Sequence, residues 1–293
     1  MGADDRYAMP MTVAAHSALH HLARDCVVEL HILDGGISLK NQNRSKEVLL
    51  RAHPLVEIFW RNANLDDYQE LNVGIYSKSS MIRLLVPQLF SEDVERVLYI
   101  DSDVVVNDDI SQLWHFRLDS LPVWAVNDGL PGAFKNSITD RFPEVDARDN
   151  ALYFNSGVLL INLPEWRSQK ISERALEFLK EHSQKLSFPD QDALNAVIAG
   201  HWGQLPNRWN MQVYRINQPY GASAGERGIV HYTTFKPWER GYTSRHKVTF
   251  FKAYLRSRWN SLPKALVWAS SVYLEQCAKH NWLRIKRRLK PCN

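Results

Sequence analysis

Eleven residues in the middle of the chain constrain everything around them: Arg96-Val97-Leu98-Tyr99-Ile100-Asp101-Ser102-Asp103-Val104-Val105-Val106. Apolar residues run into two carboxylates, and three valines carry the chain away. A short run this rich in β-branched and aromatic residues predicts a buried strand. Side chains alternate along an extended backbone, so Asp101 and Asp103 are expected to point to one side. Carboxylates framed this closely by core sequence need a compensating partner, because an unpaired buried charge is costly. Two such groups side by side offer hard oxygen ligands to a divalent cation that keeps open positions for substrate phosphates. A solvent-facing acidic strand end is the competing reading, and the apolar frame on both sides weighs against it.

Strand and helix signals alternate on either side. Ala14, Ala18 and Leu22, with Val13 and Leu19, follow helical spacing. Residues 27–33 read as a strand closed by Asp34-Gly35-Gly36, residues 38–52 as a helix and residues 56–60 as a strand. A helix near 77–89 holds Arg83. Past the central segment, residues 123–126 form a strand that runs into Asn127-Asp128-Gly129. Residues 129–150 are irregular, as in a loop over a site. Residues 153–162 are a second buried strand with an Asn155-Ser156-Gly157 break near its start, where Gly157 either eases a bulge or lets a ligand approach. Pro164 opens a helix whose face is Ile171, Ala175, Phe178 and Leu179. Another helix begins at 188–195, where Asp190 fits an N-cap. Residues 228–238 are a strand leading into a loop. Alone, its His231 reads as a structural histidine and its Lys236 as a surface lysine. Such alternation predicts an α/β fold with a largely parallel sheet, and ligands sit beyond the carboxyl ends of such strands.

With 293 residues and 45% hydrophobic content, the chain has enough apolar sequence for a full core. Cys26, Cys277 and Cys292 are odd in number and scattered, which points away from a disulfide framework or zinc site and toward a reducing, cytosolic compartment. No stretch approaches the ~20 apolar residues of a membrane span. The net charge is +4, yet Lys279, Arg284, Lys286, Arg287, Arg288 and Lys290 supply six positive charges after the last acidic residue, leaving the remainder at −2. The basicity belongs to the tail, which argues against a nucleic-acid partner for the body.

Six segments, taken in order, resemble glycosyltransferase family 8, the retaining transferases that use nucleotide-activated sugars, and are similar to those of bacterial lipopolysaccharide galactosyl- and glucosyltransferases. They are Ala-Asp-Asp-x-Tyr from Ala3 to Tyr7, Arg83, Leu-Tyr-Ile-Asp-x-Asp from Leu98 to Asp103, and Phe-Asn-x-Gly-Val-Leu-Leu-Ile-Asn from Phe154 to Asn162. Asp-Gln-Asp-x-Leu-Asn from Asp190 to Asn195 and His-Tyr followed by Lys-Pro-Trp from His231 to Trp238 complete the set. Each is weak alone, and the ordered set is specific. The resemblance implies a Rossmann-like mixed, mostly parallel sheet flanked by helices, the GT-A type, over residues 1–250. A helical, basic segment follows over 251–293.

It also implies roles. Asp101, Asp103 and His231 would hold manganese, or magnesium; the nitrogen ligand favours the former. Ala3, Asp4 and Tyr7 would contact the base and ribose of a uridine diphosphate sugar, UDP-glucose or UDP-galactose. Lys236 would bind the diphosphate and Arg83 would brace the donor site. Asn155, Asp190 and Gln191 would surround the donor sugar, with Asp190 reading its hydroxyls, and Asp128 matches a further donor-site carboxylate. The acceptor implied is lipopolysaccharide or another cell-surface glycan. A UDP-sugar hydrolase, or a UDP-sugar binder that has lost turnover, are the alternatives.

Three departures from the family pattern carry expectations of their own. The apolar strand before Ala-Asp-Asp shrinks to Met1-Gly2, so the sheet is expected to lose its first strand or the chain to be a truncated start, with weaker uridine binding. Arg6 stands where asparagine is frequent. Thr233-Thr234 replaces a glycine, and the gap to Lys236 is one residue short. In the tail, Leu262, Ala265, Leu266, Ala269, Val272 and Tyr273 mark a helical face. Trp282, Leu283, Ile285 and Leu289 follow among the basic residues, as in a segment that lies on an anionic membrane surface.

Overall fold

The computed structural model describes residues 1–62, 78–129, 132–216, 222–223, 225–239, 246–261, 263–264, 266–268 and 270–271. The basic tail and nearly all of the helical face expected before it lie outside them.

Strands β1 (Gly2–Ala3), β2 (Val28–Asp34) and β3 (Val56–Asn62) pair in parallel, in that order. The first strand is therefore present, reduced to two residues that pair with Leu33 and Asp34. Helix α1 (Ala8–His21) crosses between β1 and β2 and is buried almost all round, not on one stripe. Pro10 is tolerated because its missing N–H falls in the first turn, where no intrahelical acceptor exists. Helix α2 (Leu39–Ala52) is amphipathic: Ser45, Val48, Leu49 and Ala52 recur at helical spacing and are buried, and Ser38 caps its start.

The expected continuous central strand is broken. β4 (Arg96–Ile100) belongs to one sheet, ordered β4-β7-β6-β8, and β5 (Val104–Val106) to another, ordered β5-β10-β9. The former also holds β6 (Val123–Asn127), β7 (Phe154–Asn162) and β8 (Gly203–Gln204). β7 runs antiparallel to β4 and β6, while β8 is parallel to β6. In the latter, β10 (Ile229–His231) is antiparallel to β5 and parallel to β9 (Met211–Gln212). The fold is the expected α/β type with a mixed sheet. Because β7 is antiparallel, its amino end lies at the same edge as the carboxyl ends of β4 and β6.

The short helix α3 (Ser111–Trp114) follows β5. Helices α4 (Leu163–Ser168), α5 (Ile171–His182) and α6 (Pro189–Ile198) cover the β4-β7-β6-β8 sheet with the 3-10 helix Lys78–Leu89, sealing a core that includes Leu84, Tyr99, Leu159, Trp166, Leu176 and Leu194. The single helix expected from Pro164 onward is two, divided where Lys170 turns left-handed at φ 52°. The stretch expected to be wholly irregular, 129–150, contains a helical turn, Lys135–Thr139, whose Ile138 packs with Phe134, Tyr153 and Ala196. Helix α7 (Lys247–Ser257) straddles the expected junction at 250 and buries Phe250, Ala253 and Tyr254 against β5, β9 and β10 residues. Among the described residues no helix is long and apolar enough to cross a membrane.

Candidate active site

Asp101 leaves β4 with its N–H still bonded to the Gly157 carbonyl at 2.8 Å. The chain then turns, pinned by the Ser102 hydroxyl on the Gly2 carbonyl at 2.6 Å. Asp103 enters β5 with its carbonyl accepting the Tyr232 N–H at 3.0 Å. The two carboxylates thus converge through a turn rather than through strand alternation. From the end of β10, His231 Nε2 comes within 3.2 Å of Asp103 Oδ1 and 3.8 Å of Asp101 Oδ2. One ligand atom from each residue lies within 4.8 Å of the others. Two carboxylate oxygens and an imidazole nitrogen at this spacing fit a divalent metal such as manganese or magnesium.

Gly157 makes the convergence possible. A Cβ there would lie 2.2 Å from His231 Cε1 and 2.8 Å from Asp101 Oδ2. What approaches the strand at the break is the protein's own His231 ring and Asp101 carboxylate. The bulge reading holds as well, because the β6–β7 register shifts at this point, between Ala125 and Val126 on the partner strand.

Arg83 ties this trio to a second polar group. From the Lys78–Leu89 helix its Nη2 reaches Asp101 Oδ1 at 2.9 Å and its Nε reaches Asp190 Oδ2 at 3.0 Å. Nη1 donates to the Ser156 carbonyl and hydroxyl, and the guanidinium lies over the Tyr99 ring. Burial works against its charge, yet Asp101 and Asp190 outweigh that and hold it fully protonated. The two aspartates of the trio diverge. Burial pushes the Asp101 carboxyl up, against the pull of Arg83. Burial also acts to raise Asp103, but Lys236 and His231 overcome it and hold that carboxyl far below its usual value. Lys236 Nζ sits 2.5 Å from Asp103 Oδ2 and also donates to the carbonyls of Tyr232 and Thr233.

Asn155, Asp128, Asp190 and Gln191 are brought together beside the trio. Gln191 Oε1 accepts from Asn155 Nδ2 and from the Ser156 N–H, both at 3.0 Å. Its Nε2 donates to Asp128 Oδ2 at 2.8 Å and to the Tyr153 hydroxyl at 3.1 Å. Asp190 is not the helix cap: its carboxylate takes Arg83 and the Ser156 hydroxyl. Asp192 receives the Ser187 and Phe188 N–H groups at the start of α6 and also binds the Tyr153 hydroxyl.

On the other flank, Ala3 ends β1 and Asp4 caps the turn at Asp5–Tyr7, accepting the Tyr7 N–H at 3.1 Å. The Tyr7 ring meets Trp238 edge-on at 5.8 Å. Nine of the expected residues, Asp101, Asp103, His231, Lys236, Arg83, Asp190, Asn155, Gln191 and Asp128, form one connected polar cluster, and Ala3, Asp4 and Tyr7 lie next to it where Ser102 bonds the Gly2 carbonyl. Ser156, Tyr153, Asp192, Tyr214 and Asn210 also belong to the site and were not singled out as site residues from the sequence. Tyr214 donates to Asp128 and Asn210 to Asn155. Ser156 lies inside one of the motifs; Asn210, at the end of the short 3-10 helix Asn207–Asn210, carries no sequence signal.

This fold is that of a glycosyltransferase of the GT-A type. Residues 1–241 match the sequence profile of glycosyl transferase family 8, and the chain belongs to that family of hexosyl-transferring enzymes. It is 30% identical over 275 residues to general stress protein A of Bacillus subtilis strain 168, covering 89% of this chain and 93% of that one. It is 33% identical over 176 residues to the lipopolysaccharide 1,2-glucosyltransferase of Escherichia coli K12, 57% of this chain and 51% of that protein. Among solved structures, the galactosyltransferase LgtC in complex with donor and acceptor sugar analogs superposes with a TM-score of 0.71 at 27% identity, covering 86% of this chain and 93% of that one.

Proposed function

We propose that the chain transfers a hexose, glucose or galactose, from a uridine diphosphate sugar to a glycan acceptor such as lipopolysaccharide, with retention of configuration and with a divalent metal, manganese by preference. The observation that carries this is the convergence of Asp101, Asp103 and His231 directly beside the Asn155–Gln191–Asp190 group. Bound there, the metal would offset the negative charge that grows on the departing β-phosphate. Lys236 would bind the diphosphate, its amine passing from the Asp103 carboxylate to the phosphate oxygens. At ~4 Å and an effective dielectric of ~20 such a charge pair is worth about 4 kcal/mol. Ala3, Asp4 and Tyr7 would hold the uridine, and Asp190, fixed by Arg83, would read the sugar hydroxyls. Asp128 would add a second carboxylate to the sugar site.

Retention follows in this reading from attack on the face the leaving group departs. The bond from the anomeric carbon to the β-phosphate oxygen breaks, the acceptor oxygen bonds to that carbon, and the acceptor proton passes to the departing phosphate. Gln191 would stabilise the positive ring. Support comes from the engagement of its Oε1 by two donors and of Asp190 by Arg83 and Ser156, which leaves each a poor nucleophile. The hydrolase and binder alternatives have no observation of their own in their favour.

The proposal includes two units, a transferase part at 1–250 and a basic segment at 251–293 that contacts an anionic membrane face from the cytoplasmic side. The membrane contact rests on the sequence of that segment; α7, which runs across residue 250, packs Phe250, Ala253 and Tyr254 on the transferase part.

The deciding experiment incubates the protein with UDP-glucose or UDP-galactose, manganese and glycan acceptors and follows release of uridine diphosphate. Acceptor-dependent release is expected. Release at the same rate without acceptor means hydrolysis, binding without release means a binder, and either overturns the proposal.

A further inference from the structure

The metal-side imidazole and the sugar-side amides are joined by one hydrogen-bond chain whose polarity is dictated from a fixed end. The Gly157 backbone N–H can only donate, and it donates to Asn155 Oδ1 at 3.0 Å. The Asn155 amide nitrogen is thereby directed the other way, to Gln191 Oε1 at 3.0 Å and Asp128 Oδ2 at 3.4 Å. Asn155 Oδ1 also accepts from Asn210 Nδ2 at 2.7 Å. Asn210 consequently turns its own oxygen away from Asn155, and that oxygen lies 2.8 Å from His231 Nδ1. An amide oxygen only accepts, so the proton sits on Nδ1. The lone pair of the neutral ring is then on Nε2, the nitrogen that faces Asp103 and Asp101. Asn155, Asn210 and His231 are all at most 6% exposed, so water cannot readily substitute for a missing partner.

We infer that Asn210 is a positioning residue: it locks His231 in the Nδ1–H tautomer and so presents Nε2 as a ligand to the divalent cation. The inference rests on the metal reading above. Without the Asn210 oxygen, His231 is free to place its proton on Nε2 and donate to Asp103 Oδ1 across the existing 3.2 Å contact. A cation then has to reverse that bond before it can use the nitrogen. Histidine ligands generally depend on such a partner on the far ring nitrogen, and its loss typically costs about 10–100-fold in metal affinity.

Asn210→Ala and Asn210→Asp separate this role from a merely structural one. Manganese affinity is measured on the full chain by paramagnetic resonance of the free ion. The imidazole tautomer is read from 15N histidine resonances in the metal-free protein. Asn210→Ala is expected to bind manganese about 10–100-fold more weakly. Asn210→Asp retains an acceptor for Nδ1–H, and is expected to bind at least tenfold more tightly than Asn210→Ala. The unaltered protein is expected to carry its His231 proton on Nδ1. Affinity of Asn210→Ala within twofold of the unaltered protein, equal weakness in both variants, or a proton on Nε2 in the unaltered protein overturns the inference while leaving the metal site standing. Absence of any manganese binding by the unaltered protein overturns the metal reading and this one with it. Should Asn210→Ala fail to fold, the spectrum of the unaltered protein and the affinity of Asn210→Asp relative to it still decide.

Discussion

Gly157→Ala tests how tightly the Asp101–Asp103–His231 trio is fitted against β7. The glycine is not needed for backbone conformation, since its φ lies outside the left-handed region. Space is the whole issue. An added Cβ meets His231 Cε1 at 2.2 Å, where ordinary contact begins near 3.4 Å, so the ring has to recede by about 1.2 Å. Asp101 Oδ2 at 2.8 Å is pressed on the same side. Neither neighbour is a loose chain end: the ring is held by Asn210 and the carboxylate by Arg83 and Tyr99. Overpacking of this kind costs about 1–3 kcal/mol, which lowers the melting temperature by several degrees in a protein of this size. A displacement of about 1 Å also exceeds what a metal or catalytic constellation tolerates, so manganese affinity should fall by at least tenfold. The control is Gly2→Ala, where the nearest atom to the new Cβ is Ile82 Cγ2 at 3.5 Å and little change is expected. Calorimetric melting and manganese titration of the three proteins decide the matter. Gly157→Ala with unaltered melting and metal affinity would refute the tight packing of the trio against the strand.

Two further outcomes follow from buried charge. Arg83→Met strips Asp101 and Asp190 of their shared cation; leaving buried ions uncompensated should cost about 3–5 kcal/mol in urea unfolding without metal, and a loss below 1 kcal/mol would contradict the bridging role. His16 sits 7% exposed on α1, where burial first, then His20, Arg256, Arg51 and His21, push its pKa down from 6.5 to about 4. The unfolded chain therefore takes up the proton first, so stability held above pH 6.5 is lost as the pH falls toward 4. His16→Leu removes that term, and at pH 4.5 the gap between the variant's and the unaltered protein's pH dependence should reach about 2–3 kcal/mol; parallel curves from pH 7.5 to 4.5 would refute it.

The polar half of the site is one connected assembly rather than a set of independent contacts. Arg83 spans from Asp101 to Asp190, and the Asn155–Asn210 pair spans from Gln191 to His231. Substitutions at these positions should therefore couple, since residues sharing a hydrogen-bond network seldom act additively.

Sequence alone determined what local periodicity and side-chain chemistry can carry. The apolar runs at β4 and β7 announce themselves because strands packed into a core have to be apolar and β-branched, and α2 because burying one face imposes helical spacing. The acidic pair, His231, Arg83 and the Asn155 and Asp190 segments were legible as an ordered set of motifs. Tertiary structure alone decided how they meet. The break at 101–103 that sends β4 and β5 into different sheets, the antiparallel course of β7, and the division of the helix after Pro164 at Lys170 depend on partners far away in the chain. Asn210 shows the limit most plainly. Nothing in its neighbourhood marks it, because its chemistry comes from a backbone N–H 53 residues earlier and an imidazole 21 residues later, and only folding brings those together.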